Sequence, residues 1–220
     1  GDDSRDAFAI ELQKSGVHHD LARADRTPSI GIQLDEGGER TFHDYDPGGL
    51  LDWEPTGSQL ATIETADLVV LTRYREISAL FHRLVRLPTR GRRVVDFADI
   101  SGTPSTDLDT VVADRDLADV CIFGLAPDET TTRSWLTALA KEHPGLFVIT
   151  LGSAGALAID GADSHRQPAF QVAEVVDTTG AGDCFAAHFL SHWCSTGSVP
   201  DALRDGCRAA SEIIQRRGAS

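Results

Sequence analysis

The chemistry this chain could support is concentrated in seven consecutive residues, Asp177-Thr178-Thr179-Gly180-Ala181-Gly182-Asp183. Without Cβ atoms at Gly180 and Gly182, the backbone can approach a ligand closely and take a positive φ without strain. The segment ahead of the turn, 172–176, is β-branched and apolar around Glu174 and predicts an extended strand. Behind it, Phe185, Ala186, Phe189, Leu190, Trp193 and Cys194 share one side at helical spacing. Such a junction would leave the amides of Ala181, Gly182 and Asp183 pointing out of a helix N-terminus, where the dipole favours an anion. A carboxylate there, Asp183, could take a proton from a hydroxyl as it attacks a phosphoryl group, a contribution of ~10² to 10⁴ in rate. The same residues also suit an ordinary glycine-rich turn, in which the dipole alone favours an Asp in the first helical turn.

The surrounding chain supplies elements able to hold such a turn. Apolar runs at 68–71, 94–97, 120–123, 146–150 and 156–159 predict strands, and helical patterns cover 77–87, ended by Pro88, and 128–141, preceded by Pro127. Strands and helices in series imply a mostly parallel sheet between helix layers. Asp96 and Asp99 then fall at a carboxyl edge, where such sheets bind ligands, and Asp160-Gly161 signals a tight turn. A second glycine-bearing loop, Thr150-Leu151-Gly152-Ser153-Ala154-Gly155, joins two predicted strands. After the turn at 177–183, 200–217 reads as a helix with Leu203, Cys207, Ala210, Ile213 and Ile214 inward, Ser198 and Asp201 as a capping box and Gly218 as its stop. Its small residues Gly206, Ala209 and Ala210 suit either a ligand or close helix packing. Near the start, 7–14 reads as a helix, and alternating segments at 29–34 and 40–45 flank Asp35-Glu36-Gly37-Gly38 as a hairpin.

Composition excludes several classes. With 220 residues the chain supports one domain with a substantial core. A net charge of −14 argues against nucleic-acid binding, which needs a basic footprint. No apolar run is long enough to span a bilayer and no signal peptide opens the chain, so the expected location is cytoplasmic with no membrane partner. The four cysteines, Cys121, Cys184, Cys194 and Cys207, form no CxxC pair and give no disulfide or zinc framework. Cys184, His188 and His192 recur every four residues on one helix, either as a polar face or as part of a metal site. The Arg90, Arg92 and Arg93 cluster reads as a solvated turn.

Asp-Thr-x-Gly-Ala-Gly-Asp followed by a small-residue helix resembles the C-terminal signature of the ribokinase-like, or PfkB, carbohydrate kinases. His188 departs from that pattern, standing where a small residue is usual. The resemblance implies a three-layer α/β/α sandwich with a small β-lid, an ATP-dependent transfer to a sugar hydroxyl, and Mg²⁺ with a monovalent cation as ions. It implies Asp183 as the base and Gly180, Ala181 and Gly182 as the anion hole. It also implies a nucleotide site at Thr150, Gly152, Gly155, Thr178 and Ala210, and Glu129, with Asp128 as the second candidate, acting on the metal through water, although the Asn that precedes that Glu in the family is absent. The hairpin at about 28–46 corresponds to the lid, with Tyr45 as a sugar contact and the lid as a homodimer surface. The chain is thus expected to be a single kinase domain over 1–220. Its opening Gly1-Asp2-Asp3 and following helix resemble a segment internal to the family, so an N-terminal strand and substrate loop are expected to precede it; the absence of any methionine also suits an incomplete chain. Stretches such as Phe42-His43-Asp44-Tyr45 and Val95-Asp96-Phe97-Ala98-Asp99 resemble the fructoselysine 6-kinase branch. Kinases of ribose, fructose phosphate or 2-keto-3-deoxygluconate, and a non-catalytic sensor on the same fold, are the alternatives.

Overall fold

The computed structural model describes residues 3–22, 24–34 and 40–217. They divide into two compact units, one formed by Gly1–Val69 with Arg73–Gly91 and the other by Val70–Thr72 with Arg92–Ser220.

The first unit contains α1 (Asp3–Lys14), β1 (Ser29–Leu34), β2 (Arg40–Asp46), α2 (Gly57–Thr65) and α3 (Ser78–Leu84). β1 and β2 pair antiparallel as the alternation predicts, with Gly31 opposite His43 and Leu34 opposite Arg40. The predicted turn Asp35-Glu36-Gly37-Gly38 lies outside the described residues, as do Gly1, Asp2 and Gly218. Periodicity alone did not suggest α2, but its start carries a readable signal. Thr56 accepts from the Gln59 amide at 3.3 Å while its own amide donates to Gln59 Oε1 at 2.9 Å, a complete capping box. The helix predicted at 77–87 is shorter, because a 3₁₀ turn at Arg75–Ile77 leads into α3 and the chain leaves helical geometry before Pro88.

The second unit is built on a six-stranded sheet with the order β3 (Leu68–Thr72), β4 (Arg92–Asp99), β5 (Val120–Gly124), β6 (Leu146–Thr150), β7 (Ala156–Asp160), β8 (Asp163–Gln167). β4, β5 and β6 run parallel. β7 and β8 then turn back antiparallel through the predicted Asp160-Gly161 turn. β8 was not foreseen, because Asp163-Ser164-His165-Arg166-Gln167 is polar and lacks a strand's alternation. Val120 to Phe123 and Leu146 to Ile149 are buried at every position, as strands covered on both faces must be. Across three neighbouring strands, Phe97 stacks on Phe123 with centroids 4.8 Å apart, and Phe147 lies tilted against Phe123 at 5.3 Å. The result is an α/β sandwich with a mostly parallel sheet between helices. The first helix of this unit, α4 (Leu108–Val111), is one turn long, and α5 (Thr130–Glu142) buries Thr132, Leu136 and Ala140. α5 begins two residues later than predicted, since Thr130 and not Asp128 is its first helical residue.

The last two helices, α6 (Ala181–Thr196) and α7 (Val199–Ile213), pack against each other, and α7 also covers β7 and β8. Phe185, Phe189 and Leu190 form the buried stripe of α6, whereas Cys194, predicted on that stripe, is exposed at the end of the helix. Ser198 caps α7 by accepting from the Asp201 amide, as its sequence suggests. Contact between the helices depends on Gly206, where an added Cβ would lie 2.8 Å from Phe185 Cδ2 and 3.0 Å from its carbonyl oxygen. Among the described residues no helix is long and apolar enough to cross a membrane. Gly206→Ala is expected to destabilise the fold by about 1–3 kcal/mol through overpacking, read as a lower midpoint in urea unfolding; an unchanged midpoint would show that α6 and α7 can separate without cost.

Candidate active site

The turn at 177–183 is held from both sides. The Ile214 carbonyl, at the end of α7, accepts the amides of Val176 at 2.8 Å and Asp177 at 3.1 Å. Asp177 Oδ1 accepts the amide and the hydroxyl of Thr179 at 2.8 and 2.6 Å, closing the turn from within. The residues ahead of it are not the predicted strand. Residues 172–176 pair with no strand, and Val175 and Val176 are exposed. Val172 and Val175 instead line a cavity, and among the described residues the backbone tie of this segment is the one to Ile214.

Gly180 begins α6 in the left-handed region at φ 75°, where an L side chain would be strained. The helix has no side-chain cap, and the Ala181 amide is returned to the Thr178 carbonyl at 3.2 Å. The open donors are therefore the amides of Gly182 and Asp183, two and not the three predicted; neither forms a hydrogen bond among the described residues. Space beside Gly182 is open, since a Cβ built there meets nothing within 4 Å. Unpaired amides at the positive end of a helix dipole make an anion site, and the exposed Asp183 carboxylate stands on the same turn.

A cavity of about 480 Å³ opens beside this helix start. Thr150, Gly152, Gly155, Thr178, Ala181, Gly182 and Ala210 all line it, so residues from two loops and two helices that are far apart in the chain meet in one place. Gly155 has φ 92°, and a Cβ there would come within 2.0 Å of the Gln167 carbonyl, so the loop can pass β8 only as glycine. Phe170, Val175 and Ile214 supply apolar wall, while Thr150, Ser153, Gln171 and Ser211 supply polar groups. Such a lining, apolar with a few polar groups next to an anion site, suits a nucleotide's base and phosphates. Phe170 carried no signal in the sequence, because it lies in a stretch without periodicity. Ala210 and Ile214 are half-buried, not inward as predicted, because they face the cavity; Ala209 and Gly206 take the buried side of α7.

Other predicted residues lie outside this lining. Glu129 is the N-cap residue of α5, and its two carboxylate oxygens accept from the Gly102 amide at 2.7 Å and the Thr132 hydroxyl at 3.0 Å. Tyr45 is half-buried in the first unit, where burial, then Glu76 and Asp46, push its hydroxyl pKa up. His188 and His192 of α6 sit at 3.6 and 3.7 Å from Asp205 Oδ2 of α7. Among the described residues no group of three or more His, Cys, Asp or Glu side chains is arranged to hold a metal ion. Arg90 pairs with Glu64, and Arg92 lies 4.3 Å over the Trp193 ring.

Asp96 is the carboxylate whose setting the sequence left unread. The β4–β5 register shifts between Asp96 and Asp99, and Ala98 takes φ 57° so that its amide reaches Asp96 Oδ1 at 2.8 Å. Burial raises the Asp96 pKa; the Ala98 amide opposes this, and the negative charge of Asp183 adds to it. A carboxyl raised in the fold holds its proton more tightly there than in the unfolded chain, so its contribution to stability is present below its ordinary pKa of 3.8 and is lost as pH rises through the folded value. Asp96→Asn, which keeps the acceptor for Ala98, is therefore expected to melt above the wild type near neutral pH and to converge with it on acidification. Thermal melts from about pH 3 to about pH 7 check this; a constant offset at all pH values would remove Asp96 as the cause.

Comparison with known proteins agrees with this geometry. Residues 106–220, a little over half of the chain, match the pfkB family carbohydrate kinases. Fructoselysine 6-kinase of Escherichia coli (strain K12) is 30% identical over 222 residues, which span 99% of this chain and 81% of that protein. Among solved structures, a probable sugar kinase from Rhizobium etli CFN 42 superposes with a TM-score of 0.78 at 21% identity, covering 100% of this chain and 70% of that one. Fructokinase from Vibrio cholerae O395, in its fructose-, ADP- and calcium-bound form, gives 0.72 at 20% identity, covering 100% of this chain and 78% of that one. Both structural likenesses show a shared ribokinase-like fold. A family match that includes the turn at 177–183, joined to an identity that runs the length of the chain, makes this protein a member of the pfkB family of carbohydrate kinases.

Proposed function

We propose that the chain transfers the γ-phosphoryl group of ATP to a hydroxyl of an amine-substituted fructose, with fructoselysine as the acceptor and its 6-hydroxyl as the nucleophile. The observation that carries the reading is the pair of open amides at Gly182 and Asp183 with the Asp183 carboxylate on the same turn, beside a cavity lined for a nucleotide. In this mechanism Asp183 accepts the proton of the sugar hydroxyl as its oxygen attacks the γ-phosphorus. The bond to the β-phosphate oxygen breaks, and the amides of Gly182 and Asp183 hold the negative charge on the phosphoryl oxygens. The apolar wall of Phe170, Val175 and Ile214 keeps the base end of the nucleotide out of water.

Magnesium is proposed as the accompanying ion, and it would supply charge neutralisation on the phosphates. The chain's residues fit an ion carried mainly by phosphates and water. Both Glu129 oxygens already have protein donors, so a role for Glu129 in placing the ion runs through water. For the sugar end, the β1–β2 hairpin is the proposed lid and Tyr45 the proposed sugar contact. Exposed Ile30 on β1 supports that hairpin as a dimer surface.

Asp183→Ala is expected to lower kcat by ~10² or more while ATP still binds by calorimetry; near-normal turnover would remove Asp183 as the base. The acceptor is tested by ADP release on a panel of fructoselysine, fructose, ribose and 2-keto-3-deoxygluconate. The highest kcat/KM is expected with fructoselysine, and a clear preference for an unsubstituted sugar would replace it.

A further inference from the structure

In the second unit, side chains lace the ends of two neighbouring strands together. At the end of β4, Asp99 Oδ1 accepts the amide and the hydroxyl of Ser101 at 2.8 and 2.6 Å. The same hydroxyl oxygen accepts the amide of Ala126, just past the end of β5, at 2.7 Å. Ser101 thus uses its one hydroxyl as donor and acceptor together, which threonine can also do and alanine cannot. One residue on, Gly102 takes φ 69° and donates its amide to Glu129 Oε1 at 2.7 Å. From the other side the buried Thr132 donates its hydroxyl to Glu129 Oε2 at 3.0 Å.

The laced loops continue into the wall of the 480 Å³ cavity. Ile100 donates its amide to the Gly124 carbonyl at 3.0 Å, and Leu125 donates to the Thr150 carbonyl at 2.9 Å. Pro127 Cγ lies 4.0 Å from where a Cβ on Gly152 would stand. Thr150 and Gly152 line the cavity, so the loop carrying Glu129 is tied to β4 on one side and rests on the cavity wall on the other. A carboxylate oxygen has two lone pairs, and each Glu129 oxygen has one donor among the described residues, which leaves one lone pair on each for water. Fixed donors set the direction of those lone pairs, and an acid that acts on a metal ion through water depends on that direction.

We infer that Ser101 is a positioning residue for the transfer reaction: its hydroxyl clasps the β4 loop to the β5 loop and so holds the Gly102 amide against Glu129, orienting that carboxylate toward the water around the nucleotide's metal ion. The inference rests on the water-mediated role proposed above for Glu129. Ser101 acts through Glu129 and has no contact of its own with the reacting groups in this account.

The test is calorimetry of ATP binding with and without Mg²⁺, on the full chain and on Ser101→Ala, Ser101→Thr, Asp99→Ala and Glu129→Gln. It needs no acceptor, so it stands whichever sugar is phosphorylated. The affinity that ATP gains on addition of Mg²⁺ is expected to fall about tenfold in Ser101→Ala and in Glu129→Gln and to keep its wild-type value in Ser101→Thr. If circular dichroism shows that Ser101→Ala does not fold, Asp99→Ala, which removes the partner of the Ser101 hydroxyl, decides in its place with the same expected fall. A gain unchanged in the deciding variant, binding weakened equally with and without Mg²⁺, or a Ser101→Thr chain as impaired as Ser101→Ala would overturn the inference. Should Glu129→Gln alone lose the gain, the metal role of Glu129 stands without Ser101; an unchanged gain in Glu129→Gln, or no gain in the wild type, removes that role and the inference with it.

Discussion

One backbone oxygen organises the reactive end of this protein. The Ile214 carbonyl lies where α7 ends, in the last turn where helix carbonyls lack internal partners, and it accepts the amides of both Val176 and Asp177. That tie brings the end of one helix to the start of another. The α6 dipole is thereby aimed into the cavity that Ala210, Ser211 and Ile214 of the α7 end also line. Each part needs the others. Without the tie, 172–176 has no strand partner to hold it, and without close packing at Gly206 the two helices would stand further apart.

Burial and openness are divided along α7 itself. Ala202, Leu203, Gly206 and Ala209 are buried against protein, while Ala210 and Ile214, next on the wheel, are half-buried and line the cavity. The two roles suggested by the small residues of this helix are therefore both present, but at different residues. Gly206 removes volume so that Phe185 can approach, and Ala210 leaves room in the cavity. Cys207 contributes to both surfaces, and burial pushes its thiol pKa up to about 11, which keeps it protonated near neutrality.

Negative charge is placed with similar economy. Asp183 remains exposed at a helix start. Asp96, on the neighbouring strand end, is held by a bulge and an amide and is pushed up by burial and by Asp183. Backbone strain at Ala98 is thus found beside the proposed base, where strained backbone commonly supports function.

Much of this was legible in the residue order. Local pattern sufficed wherever one segment determines its own state: the apolar runs of β5 and β6, the Ser198 cap of α7, the hairpin of β1 and β2, and the helix start at Gly180. The resemblance of the 177–183 turn to the pfkB signature was equally local. Longer-range facts were not legible, for a physical reason. Whether 172–176 pairs as a strand or walls a cavity depends on a neighbour that periodicity cannot see. The polar β8 exists because β7 offers it an edge, not because its residues prefer one. Glu129 reads as a ligand-placing acid by position, yet one oxygen accepts from Gly102 in the distant loop before α4 and the other from Thr132 in the first turn of α5. The sequence by itself determined which residues could do phosphoryl chemistry, since that follows from side-chain type and turn geometry. Only the tertiary structure decided which of them share a cavity, how buried Asp96 becomes, and which amides stay open, since each depends on contacts between residues distant in the chain.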